Sequence, residues 1–70
     1  MKLTRAEALT MARAYTLAHM WQYQKLHEAG DIRTDEDGRS PGEQLALVED
    51  TCEAVVRELE EMIAEERARV

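Results

Sequence analysis

The chain has 70 residues, a formal net charge of −6 and a single cysteine, Cys52. A domain this small draws only ~3–5 kcal/mol from its own core, and the usual staples are missing. One cysteine forms no disulfide within the chain, and with two histidines it closes no structural zinc site. Oligomerisation is the remaining common remedy. Net acidity also argues against broad, non-specific nucleic-acid binding. Ala, Glu, Arg and Leu dominate, with no Phe, one Pro and three Gly, a composition that suits long helices and disfavours sheet. No apolar run approaches the ~20 residues that span a membrane, and no basic-then-apolar leader opens the sequence. A soluble, cytoplasmic protein in a reducing compartment is expected.

In chain order, the first start signal is Thr4-Arg5-Ala6-Glu7, a capping box in which hydroxyl and carboxylate satisfy each other's backbone amides. Gly30 sits where a left-handed residue would end the helix that follows. The polar, acidic, turn-rich stretch 30–40 reads as a loop. Ser40-Pro41-Gly42-Glu43 repeats the capping device, with Pro41 at the first helical position, where its missing N–H costs nothing. Helices are thus expected over residues 5–29 and 41–69, rods of roughly 38 and 43 Å at ~1.5 Å per residue. Near-equal lengths and one loop mean an all-α antiparallel hairpin, a single domain over the whole chain.

The second helix carries a seam, Leu45, Val48, Cys52, Val55, Leu59 and Met62, at spacings of three and four that average 3.5 residues. Val56 and Ile63 widen it, and Glu49, Asp50, Glu53, Arg57, Glu60 and Glu61 lie outside. The first helix is apolar on more than one face. At 100° per residue, Ala8, Met11, Ala12, Tyr15, Leu26 and Ala29 share one side with His19 and Gln22. Leu3, Ala14, Leu17 and Trp21 fall opposite, and Leu9, Met20 and Tyr23 lie between. A lone hairpin buries one such face, so the simplest closed solution is a two-fold homodimer forming a four-helix bundle, with Tyr15 and Leu26 joining the seam in its core.

Charge divides along the chain. Residues 1–29 hold four cations against two acids, net +2, and residues 30–70 hold five arginines against thirteen acids, net −8. A locally basic face on the first helix remains open to one structured partner. Chemistry is harder to place. His19 and Gln22 suit a polar layer that fixes register. His27 is a favourable cation at a helix C-terminus. Neither histidine has Glu three residues before it, so a carboxylate-bridged di-metal centre is not expected. Asp31, Asp35 and Asp37 fail the calcium-loop spacing and read as a solvated acidic loop. Cys52 reads as a small buried apolar group. No nucleophile–base set, nucleotide loop or paired catalytic carboxylate is present, so the expectation is a non-catalytic protein without cofactor or metal.

Ala8-Leu9-x-Met11-Ala12-Arg13 and Lys25-Leu26-x-Glu28 resemble the first helix of Rop-type proteins over about the first 29 residues. The second helix aligns by its seam and by Asp50, Glu53 and Arg57, after a longer loop. The resemblance implies a homodimeric four-helix bundle that binds paired RNA hairpin loops through the first helices of both subunits. Lys25 matches a family RNA-contacting position and Arg13 a basic one. Thr10 stands where the family has an amide, Ala14 where it has a stacking aromatic, and Ala18 where it has another amide. The candidate RNA contacts are therefore Thr10, Arg13, Trp21 and Lys25. Trp21, like most large aromatics, is expected to pack inside the oligomer; exposed beside Lys25, it would stack on a base or anchor a protein. The alternative reading is a protein-binding adaptor or inhibitor, acting through the acidic second helix or the Leu17–Trp21 stripe.

Overall fold

The computed structural model describes residues 1–69: α1, Arg5–Glu28, and α2, Pro41–Ala68, with no strand among the described residues. The two helices pack along their length as the expected hairpin. Both capping boxes form. Thr4 Oγ1 accepts from Glu7 N–H at 3.1 Å and Glu7 Oε1 from Thr4 N–H at 2.9 Å, and Ser40 and Glu43 repeat the exchange at 3.2 and 3.3 Å. The Thr4 backbone bond, then its hydroxyl, holds the Glu7 carboxyl below its ordinary value. This cap is therefore complete above the ordinary carboxylate range and is lost as pH falls through the lowered value.

Each helix ends one residue before its expected boundary, with Ala29 and Arg69 as C-caps. Gly30 has φ +74°, donates to His27 O, and is followed by Asp31 N–H donating to Leu26 O. This pair of bonds closes the last turn of α1 as a Schellman motif, which needs the left-handed residue that glycine supplies. The loop is a built turn whose acidic residues Asp31, Glu36 and Asp37 are exposed to solvent, as expected. Asp35 Oδ1 accepts from the backbone N–H groups of Asp37 and Arg39, and the Arg39 guanidinium pairs with Asp35 and Asp37. Gln44 of α2 then pins the loop by donating to the carbonyls of Arg33 and Arg39.

The stripe of α1 that meets α2 is the intermediate one: Ala6, Leu9, Arg13, Thr16, Met20, Tyr23 and His27 are half-buried at spacings of three and four. On α2 the fully buried residues are Cys52, Val56 and Ile63, flanked by half-buried Leu45 and Leu59. Val56 and Ile63, not Val55 and Met62, thus complete the seam within the chain. Val55 and Met62 are exposed, as are Tyr15 and Leu26. Cys52 is buried as expected.

The hairpin is long and thin, 47 × 23 × 19 Å, with a radius of gyration of 15.3 Å. A compact chain of this length has a radius near ~11 Å. Its accessible surface is 5535 Å², against the ~4,450 Å² of a compact monomer of this mass.

In urea unfolding followed by circular dichroism, Ile63→Ala is expected to cost ~2–3 kcal/mol. Thr4→Ala is expected to cost ~1 kcal/mol. An Ile63→Ala variant as stable as the parent would contradict its place between the helices.

Candidate functional site

Polar contacts define two edges of the hairpin. Along one, Tyr23 Oη donates to Gln44 Oε1 at 2.9 Å and Arg5 pairs with Glu66 at 2.9 Å. Along the other, Gln24 Nε2 donates to Glu49 Oε2 at 2.8 Å and Arg13 meets Glu60 at 3.6 Å. These pairs fix which faces of α1 and α2 lie side by side, since residue direction advances by ~100° per position.

On the Tyr23–Gln44 side, the two helices together present an apolar face. From α1 come Met11, Tyr15 and Leu26, with small Ala8 and Ala12; from α2 come Val48, Val55 and Met62. Tyr15 is 67% exposed and Val55 41%. The polar members are His19, its ring 6.3 Å from that of Tyr23 and tilted by 49°, and Gln22. The 3.5-residue seam of α2 belongs to both surfaces. Cys52 and Leu59 lean toward α1, while Val48, Val55 and Met62 turn onto this open face. The sequence-expected core residues Tyr15, Leu26, Val55 and Met62 are thus brought together, but on the outside of the single chain.

The candidate RNA contacts lie on another side of α1. Trp21 is 56% exposed, one turn from exposed Lys25 and beside half-buried Leu17. Nothing within the single chain buries it. Thr10 shares this side, its hydroxyl donating to Ala6 O at 2.8 Å. Arg13 does not join them: it turns to α2 and Glu60. Arg5 is likewise committed to Glu66. Among the described residues of α1 and its lead-in, Lys2 and Lys25 are the cations without an ion pair. Near the open end of the hairpin, Thr10, Arg13, Glu60, Ile63 and Arg67 line a shallow cleft of about 320 Å³. Within it Arg13 pairs with Glu60, and the Thr10 hydroxyl is committed to Ala6 O.

Sequence reasoning missed the interhelical pairs Tyr23–Gln44 and Gln24–Glu49. No spacing rule within one helix signals them, because each depends on the rotation of α1 against α2.

Because Trp21 faces away from the apolar face, acrylamide is expected to quench its fluorescence in the intact protein nearly as it quenches free indole. A shielded, blue-shifted emission would contradict this position.

Comparison with family models, with curated proteins and with solved structures finds no match to this chain.

Proposed function

We propose that this chain is a small, non-catalytic regulatory protein that dimerises through its apolar face into a four-helix bundle and binds structured RNA through α1. The observation that carries the assembly is the apolar face itself: both helices aim the same side of their heptad pattern at solvent. A square bundle requires that geometry, since each helix must point between its chain neighbour and the partner pair. The occupant is a second copy. The face is roughly 36 Å long and two helices wide, about 700 Å², near the ~800 Å² per partner of a standard stable interface. Covering it would also remove much of the surface that this chain holds in excess of a compact monomer of its mass.

The polar patch in that face favours one arrangement. With loops at opposite ends, the two α1 helices lie side by side and Tyr15, His19 and Gln22 meet their counterparts in the second copy. With loops at the same end, they would lie against Val48, Val55 and Met62, leaving polar groups without partners. The first arrangement puts both copies of Trp21 and Lys25 on one outer side of the bundle, as a base-stacking and phosphate-binding stripe. The resemblance to Rop-type proteins supports RNA as the ligand. A protein partner is the second reading, favoured by the ion pairs that occupy Arg5 and Arg13 and leave Trp21 as the dominant exposed feature.

Two measurements follow. The melting temperature should rise with protein concentration, as it does for any folded species stabilised by association. Val55→Asp, which puts a charge in the dimer interface, should abolish that dependence. Binding to a pair of RNA hairpins joined through their loops should weaken in Lys25→Ala and lose about one unit of salt slope per contact removed. Trp21→Ala should cost ~1–3 kcal/mol for each stacked base. No RNA binding at low salt, together with a nuclease-insensitive protein partner lost in Trp21→Ala, would overturn the RNA reading in favour of the second.

A further inference from the structure

We infer that His19 makes the assembly acid-sensitive: the dimer forms around neutral imidazole and comes apart as that ring gains a proton. This rests on the dimer reading above. His19 lies near the middle of α1, on the apolar face, and is exposed in the single chain. Its immediate surroundings hold no compensating charge. On its own helix it is flanked by Tyr15, Gln22 and Tyr23, and its ring contact is with Tyr23. Arg13 is turned to Glu60 and Lys25 lies on another side of α1. At the same level of α2 the residues toward this face are Val48, Thr51 and Val55, none of which carries an ionisable side chain. Glu49 is directed to the opposite edge, where it accepts from Gln24, and Asp50 and Glu53 lie on the outer side of α2. No carboxylate pairs with His19 among the described residues.

A second copy laid on this face with two-fold symmetry adds its own Tyr15, His19 and Gln22, and again no carboxylate. A neutral imidazole and these amide and phenol groups can satisfy one another. An imidazolium there would be a charge removed from water without a counterion, and symmetry would place a second one in the same interface. Histidine gains its proton in the mildly acidic range. The dimer binds fewer protons than the separated chains, so falling pH drives dissociation. One effect opposes it: acid also reduces the net negative charge of each copy. That repulsion acts between exposed, well-separated groups and is screened by salt, whereas a buried charge is not.

The test is the dimer dissociation constant, measured by dilution calorimetry at about 0.3 M NaCl between about pH 7.5 and 5.5. The wild-type constant should rise at least about tenfold on acidification, one decade corresponding to about one pH unit of linkage. His19→Gln, which keeps size and polarity but cannot charge, should dimerise with no such dependence. His27→Gln should retain it, because His27 packs between α1 and α2 rather than on the open face. A wild-type constant that does not move, or pH dependence that survives in His19→Gln, would overturn the inference while leaving the dimer intact. A chain monomeric at every pH would overturn the dimer reading and this inference with it.

Discussion

Two helices packed against each other bury one stripe apiece, and each helix of this chain carries more than one. Everything else in the molecule is arranged around that mismatch. The contact between α1 and α2 takes Leu9, Met20 and Tyr23 on one side and Cys52, Val56 and Ile63 on the other. It leaves Met11, Tyr15, Leu26, Val55 and Met62 on a common open face. Apolar area scales with the driving force for its removal from water. A face of this size on so thin a hairpin is the ground for the proposed dimer.

Local chemistry fixes the ends of the rods before packing chooses their rotation. The two capping boxes, Pro41 at the start of α2 and the Schellman turn at Gly30 each depend on a few neighbouring residues. All were legible in the sequence to within one position. The turn at Asp35–Arg39 was only half legible. Its acidic residues were visible, but nothing in their spacing said that the Asp35 carboxylate would be spent on backbone amides and on Arg39. Gln44 as the anchor of that turn was not legible at all, since it reaches across from another helix.

Rotation of the helices was the part the sequence could not resolve. A seam spaced at 3.5 residues says that a helix has a partner, not which partner. Cys52 and Leu59 fit either the neighbour in the chain or a second copy. Only packing reveals that Val56 and Ile63 serve the first and that Val55 and Met62 stay exposed in the single chain. On α1 three apolar stripes competed, and the one called intermediate meets α2. The same rotation separates the candidate RNA contacts. It leaves Trp21 exposed beside Lys25 in the single chain and turns Arg13 away into an ion pair with Glu60. The candidate stripe is accordingly more aromatic and less basic than residue types alone imply.

Sedimentation equilibrium of the unmodified chain at micromolar concentration and neutral pH tests the central claim most directly. The account predicts a single species of twice the 8.0 kDa chain mass. A stable, fully helical species sedimenting at the mass of one chain would contradict it, because the apolar face would then have no occupant.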